Sequence, residues 1–243
     1  MRPNLHKPFL RESGNSYRYL RKNLGEMNDH HDHTRPAWWS PSGLAHVATA
    51  AKYFWTSPVN DALVATIDPQ PGERLLDIGA GIGPATVAAA QLVLPGGVVI
   101  AVDPSRFMRV VLTVRRSWQR ARGAIDVRTG TAEAMPVGDG MIDGAWALNA
   151  MHHFDDLQRA AGELRRVLRP GARLLLVDED FNDSGHRFCG LADDDHGPEF
   201  VDPDEMIGHL EDAGFTDAAF EHRVLGGAPA FVIMAHRGPG EGW

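Results

Sequence analysis

From residue 74 onward, short apolar runs alternate with amphipathic segments, and no other feature narrows the fold as much. Arg74-Leu75-Leu76-Asp77-Ile78, Gly97-Val98-Val99-Ile100-Ala101-Val102-Asp103, residues 124–129 and 141–149, and Leu174-Leu175-Leu176-Val177 read as strands. Between them, 84–94, the basic-faced stretch 107–122 and 155–168 read as helices, the last closed by Pro170-Gly171. Unbroken apolar strands suit burial on both faces, and strands separated by helices pair in parallel. The expectation is an α/β fold, a parallel sheet with helices on both faces.

The C-terminal part breaks this rhythm. Residues 178–199 are polar and acidic, a helix is expected over 202–213, and strands over 216–223 and 228–237 meet at Gly226-Gly227. Two glycines between β-patterned runs signal a hairpin, so the sheet should close on antiparallel strands. The whole chain divides into a flexible N-terminal extension (1–40), a helical cap (41–70), the α/β domain (71–237) and a tail (238–243). Within the cap, 42–54 looks helical, and Ser57-Pro58 has the form of an N-cap followed by proline in the first turn.

Composition removes several function classes. Of 243 residues, 24 are Lys or Arg and 32 are Asp or Glu, a net charge of −8, the wrong sign for affinity drawn mainly from phosphates. The single cysteine, Cys189, rules out an intrachain disulfide framework, a thiolate zinc cluster and a CxxC redox pair. No apolar run approaches the ~20 residues that cross a bilayer. The basic first 26 residues lack the apolar centre of a secretion signal, and Met27 is an alternative start. The expected location is cytoplasmic, with no nucleic-acid or membrane partner; a homodimer is left open.

The chemistry begins where the first strand meets the first helix, at Asp77-Ile78-Gly79-Ala80-Gly81-Ile82-Gly83-Pro84. Glycines at every second position allow a sharp turn and close approach to a ligand. Pro84 stands where a GxGxxG fingerprint needs its third glycine, and there is no Gly-Lys-Ser/Thr of a phosphate loop. A carboxylate at Asp77 disfavours a pyrophosphate and suits a cationic ligand; the plainer reading is a tight turn alone. The second strand ends in Asp103-Pro104, where a carboxylate can accept both hydroxyls of a ribose. The plainer alternative there is a helix N-cap.

With these pieces in place, the chain resembles the class I S-adenosylmethionine-dependent methyltransferases, in particular their ubiquinone/menaquinone-type small-molecule branch, over roughly residues 56–237. The acidic-x-Gly-x-Gly-x-Gly motif stands as Asp77 to Gly83, and the ribose-binding acid matches Asp103. The loop after strand three stands as Gly130-Thr131-Ala132-Glu133-Ala134-Met135-Pro136, with Thr131 in place of the usual aspartate. The strand-four pattern is Ile142-Asp143-Gly144-Ala145-Trp146-Ala147-Leu148-Asn149-Ala150-Met151-His152-His153-Phe154, and 164–171 matches the segment before strand five. The resemblance implies a Rossmann-like seven-stranded sheet of order 3-2-1-4-5-7-6 with strand seven antiparallel. It also implies S-adenosylmethionine as cofactor, held by Asp77, Gly79, Ala80, Gly81, Gly83, Asp103, Pro104, Thr131, Ala132, Glu133 and Asn149.

Methyl transfer from a sulfonium is mainly a matter of in-line positioning, and a base is needed only where the acceptor loses a proton. His152 follows strand four and Asp178 ends strand five, at the sheet edge where open α/β sheets bind ligands. They are the candidate catalytic pair, weighed evenly against a loop-capping histidine and a solvated aspartate. No resident metal is expected. His30, His31, Asp32 and His33, and the run Asp193-Asp194-Asp195-His196, read as solvated segments, because adjacent aspartates seldom converge on one ion. An Asn/Asp-Pro-Pro-aromatic motif is missing after strand four, which argues against methylation of nucleic-acid bases. The expected function is methylation of a small molecule at O, N or C; the alternative is a non-catalytic S-adenosylmethionine-binding scaffold.

Overall fold

The computed structural model describes residues 52, 55–181, 183–184 and 201–239. Seven strands form one sheet: β1 (Arg74–Ile78), β2 (Val98–Val102), β3 (Ile125–Arg128), β4 (Ile142–Leu148), β5 (Leu168–Glu179), β6 (Phe215–Leu225) and β7 (Ala228–Arg237). Their order is β3-β2-β1-β4-β5-β7-β6. The first five pair in parallel. β7 runs antiparallel to both β5 and β6. The closing hairpin is therefore present, and Gly226 and Gly227 both take positive φ, as a tight hairpin turn requires.

Among the described residues, five α-helices flank the sheet: α1 (Pro58–Ile67), α2 (Pro84–Leu92), α3 (Arg106–Ser117), α4 (Leu157–Val167) and α5 (Pro203–Asp212). Their starts follow local chemistry. Ser57, Ser105, Asp156 and Asp202 each turn a side-chain oxygen onto a backbone N–H of the first turn. Gly83 starts α2 in the left-handed conformation with no side-chain cap.

Alternation along the strands sends side chains to two cores. Leu76, Ile78, Ile100, Leu174 and Leu176 pack with Leu164 and Val167 of α4 and Met206 and Leu210 of α5. Leu75, Val99, Trp146, Leu175 and Val177 pack on the opposite side with Val59, Leu63 and Ile67 of α1 and Ala85 and Ala89 of α2. The helix expected as part of a cap, α1, thus lies in the same core as α2. The hairpin turn rests on its start, since a Cβ at Gly226 would come within 2.5 Å of the Val59 nitrogen.

Two elements differ from the sequence expectation. β5 begins at Leu168 rather than 174: Leu168 already pairs with Ile142, and the register shifts before Arg173 meets Gly144. Pro170-Gly171 therefore forms an irregularity inside a strand instead of a stop after a helix. α3 ends at Ser117, where the Trp118 N–H turns back to the carbonyls of Arg115 and Arg116, and a separate single turn covers Arg122–Ala124. The extension, most of 42–54, and 240–243 lie outside the described residues.

Candidate cofactor and acceptor site

The carboxyl ends of β1, β2, β4 and β5 share one edge of the sheet, and the candidate residues collect there. The β1–α2 turn is built on glycines in the left-handed region, with φ of 67° at Gly79, 53° at Gly81 and 73° at Gly83. Two are also needed for space. A Cβ at Gly79 would sit 2.5 Å from the Ala150 Cβ at the end of β4, and one at Gly83 would collide with Leu112 of α3. Gly79 and Ala80 donate their N–H groups to the Val102 carbonyl, which locks the loop to the end of β2.

Asp103 completes that lock. One carboxylate oxygen accepts the Gly81 N–H and the other the Ser105 N–H, both at 2.8 Å. The N-cap of α3 is Ser105, not Asp103. A carboxylate has about four lone-pair positions, so each oxygen retains room for one further donor. Pro104 follows on the surface, and the Asp103 and Pro104 carbonyls accept from the Arg109 guanidinium at 2.8 and 2.7 Å.

Asp77 has a different place from the one expected. It is 3% exposed and points from β1 into the α2 side, where its carboxyl accepts the Thr86 hydroxyl at 2.5 Å. A ligand-facing carboxylate is therefore replaced by a buried brace between strand and helix. The cause is strand alternation: Asp77 shares its face with Leu75, not with the loop above it. Burial pushes its pKa up to about 7; the Asp103 charge also raises it, and the Thr86 bond partly offsets the rise. Trp146, opposite Asp77 in the β1–β4 register, favours the charged form too, though its indole N–H makes no hydrogen bond of ordinary length.

A raised folded pKa in an acid means that the unfolded chain releases its proton first. The stability Asp77 contributes is thus fully present below about pH 4 and is lost as pH rises toward 7. At ~1.4 kcal/mol per unit, the swing is roughly 4 kcal/mol. Asp77→Asn should remove it: the variant's stability relative to the parent should rise between pH 4 and 7 and then level off. Urea unfolding across that range is the check, and parallel curves would show that Asp77 is ionised in the folded protein at all these pH values.

The loop after β3 is drawn toward α4. Thr131 is exposed and bridges Ala134, and Ala132 is buried. The Glu133 carboxylate accepts the Asp155 N–H at 2.9 Å, and its carbonyl accepts from Arg159. Glu133 is therefore engaged with the segment that starts α4. Asn149 is engaged as well. Held at φ 52°, it accepts the Glu179 N–H through its side-chain oxygen and donates to the Glu179 carboxylate, both at 2.7 Å. This reciprocal clasp joins the ends of β4 and β5.

His152 and Asp178 meet. Met151–His153 forms a single turn after β4 that places His152 Nδ1 3.2 Å from Asp178 Oδ2; the His152 backbone N–H donates to the same oxygen, also at 3.2 Å. Asp178 is buried, and its second oxygen has no hydrogen-bond partner. The His153 ring lies 4.0 Å from that of His152 but is exposed. Partial burial, then the neighbouring His152, lower the His153 pKa. With Nδ1 committed to the carboxylate, the free nitrogen of His152 is Nε2.

Sequence reasoning missed Thr86, Glu179 and Ser105, because each acts through a partner supplied by the fold. The two clusters weighed as metal ligands, His30 to His33 and Asp193 to His196, lie outside the described residues. A grouping with no sequence signature does occur: Asp180, Asp183 and His222 bring ligand-type atoms within 4.8 Å of one another.

Comparison with known proteins agrees with the fold. Residues 76–176 match the model of a methyltransferase domain. The chain is 35% identical to nocamycin O-methyltransferase of Saccharothrix syringae over 130 residues, covering 54% of this chain and 45% of the relative. It is 31% identical to 27-O-demethylrifamycin SV methyltransferase of Amycolatopsis mediterranei over 182 residues, covering 71% and 60%. The chain thus spans about half the length of such relatives. Among solved structures, a SAM-dependent methyltransferase from Aquifex aeolicus superposes with a TM-score of 0.63 at 20% identity, covering 82% of this chain and 99% of that one. On this sheet order and this domain match, residues 76–176 carry a methyltransferase domain within a Rossmann-like seven-stranded fold.

Proposed function

We propose that the protein transfers a methyl group from S-adenosylmethionine to a hydroxyl of a small-molecule acceptor. The observation that carries this reading is the His152–Asp178 pair at the sheet edge beside the Asp103-locked glycine loop. The loop suits the cofactor: Asp103 keeps an open acceptor position on each oxygen for a ribose diol, and a Cβ at Gly81 would meet only open space and its own loop carbonyl. Asp103, Gly79, Ala80 and Gly81 would hold the nucleoside, with Thr131 and Ala132 at the base edge. When bound, S-adenosylmethionine supplies an already activated methyl group. The protein's part is positioning and proton removal. Asp178 fixes the His152 tautomer with hydrogen on Nδ1, so Nε2 accepts the acceptor's proton, and the negative charge of Asp178 stabilises the imidazolium that results. The relatives named as O-methyltransferases favour a hydroxyl over nitrogen or carbon.

Binding is tested first. S-adenosylmethionine or S-adenosylhomocysteine at ~100 times its dissociation constant should add roughly 2.7 kcal/mol, which for a chain of this size raises the melting temperature by about 5–10 °C. NAD should leave it unchanged. The reverse pattern would overturn the assignment. Release of S-adenosylhomocysteine across a panel of hydroxylated acceptors then separates an enzyme from a scaffold that binds the cofactor alone.

A further inference from the structure

α3 is an amphipathic helix turned inside out. Of its twelve residues only Leu112 is buried. Winding at about 100° per residue puts Phe107, Val110, Val114 and Trp118, just past its end, within an arc of about 80°, roughly opposite Leu112. They are 70%, 53%, 49% and 78% exposed. The side that points squarely into solvent is thus an apolar ridge about 16 Å long with an aromatic ring at each end. Large contiguous apolar surface of this kind marks a binding face.

Charge gives the partner's chemistry. Between Asp103 and Asp126 the chain carries Arg106, Arg109, Arg115, Arg116, Arg120 and Arg122 and not one acidic residue, within a protein of net charge −8. Among the described residues no carboxylate pairs with any of the six. Arg109 and Arg116 bond backbone carbonyls, and Arg115 lies over the Trp55 ring at 4.0 Å. Beside the ridge, Arg106, Arg109, Val110, Thr113, Val114 and Val127 border a shallow, open hollow of about 270 Å³.

We infer that α3 is the face on which the protein lies against an anionic phospholipid surface, with Phe107, Val110, Val114 and Trp118 entering the headgroup–acyl boundary and the exposed Arg106, Arg120 and Arg122 meeting lipid phosphates. An apolar stripe with aromatic ends and an arginine border is what a helix lying in that boundary presents. A second copy of the chain fits poorly, because a two-fold pairing through α3 sets arginine against arginine. An acidic protein partner would need the ridge to find a groove and is the alternative to be tested. The expectation of no membrane partner rested on the lack of a spanning segment. Among the described residues no helix is long and apolar enough to cross a bilayer, and a helix lying on a surface needs no such length. The inference does not depend on the acceptor's identity.

The test uses the full chain and phosphatidylcholine vesicles with or without about 30% phosphatidylglycerol, at ~0.1 M salt. The protein should sediment only with the anionic vesicles and be released at ~0.5 M salt. Arg120→Gln and Arg122→Gln should each weaken binding by about fivefold. Phe107→Ser and Trp118→Ser should each weaken it by roughly tenfold. All four positions are exposed, so melting temperature and S-adenosylmethionine affinity should stay at the parent values. No sedimentation with anionic vesicles overturns the inference, as does a Phe107→Ser/Trp118→Ser variant that binds like the parent. Equal affinity for soluble polyglutamate would move the site to an acidic protein. A parent dimer that Trp118→Ser dissociates, without vesicle binding, would make α3 a self-interface.

Discussion

Asp103→Ala should lower the affinity for S-adenosylmethionine by at least a hundredfold. The carboxylate has one acceptor position left on each oxygen, after those taken by the Gly81 and Ser105 amides at 2.8 Å. Hydrogen bonds to a charged group contribute about 1.5–3 kcal/mol each, so losing two from a ribose diol costs roughly 3–6 kcal/mol, or 10²- to 10⁴-fold in Kd. The glycine loop loosens at the same time, because Gly81 loses its acceptor. Global stability should change little: Gly81 is half-buried and Ser105 exposed, so water can replace the lost partner at both amides. Asp103→Asn separates the two roles. Its amide oxygen still accepts one loop N–H, but its NH₂ cannot accept a hydroxyl proton, so it should fall between parent and alanine. Titration of each folded variant with S-adenosylmethionine is the measurement. Parent-like affinity in Asp103→Ala would leave Asp103 as a clasp between the loop and α3 and nothing more.

What the sequence showed and what it hid divide along a physical line. The sheet was legible because burial on both faces leaves continuous apolar runs, and the closing hairpin was legible because Gly226-Gly227 needs positive φ at both positions. The glycine loop and Asp103 were legible because they are local. Asp77 was not, since its role depends on Thr86, nine residues along on a helix that returns over the strand. Asn149 reads as any polar residue at a strand end until β5 brings Glu179, thirty residues later, against both ends of its amide. Pro170-Gly171 reads as a stop signal, but β5 carries it as an irregularity where the register with β4 shifts. The pattern of α3 announced an amphipathic helix without saying which face the protein would cover. Only the packing of Leu112 against Ala80 and Ala101 decides that the other side is outward.

His152→Ala should reduce the rate of methyl transfer by 10²- to 10⁴-fold, the usual contribution of a positioned base, with cofactor affinity nearly unchanged. The geometry supports a base and not merely a loop cap. A capping histidine would be satisfied by its backbone N–H on Asp178, yet the ring also turns Nδ1 to the same oxygen at 3.2 Å and leaves Nε2 free. Asp178 is buried beside it, with one oxygen making no hydrogen bond among the described residues. Asp178→Asn should cost less than the loss of the imidazole, because the amide can hold the ring but not stabilise its protonated form. His153 is the control. It is exposed, and partial burial together with the neighbouring His152 lowers its pKa. His153→Gln should stay within about threefold of the parent. Single-turnover methyl transfer at saturating acceptor isolates the step. A His152→Ala rate within about threefold of the parent falls far short of general-base catalysis. It would mean that the acceptor reaches the site already deprotonated or needs no proton removed, leaving the pair only the task of holding the turn after β4.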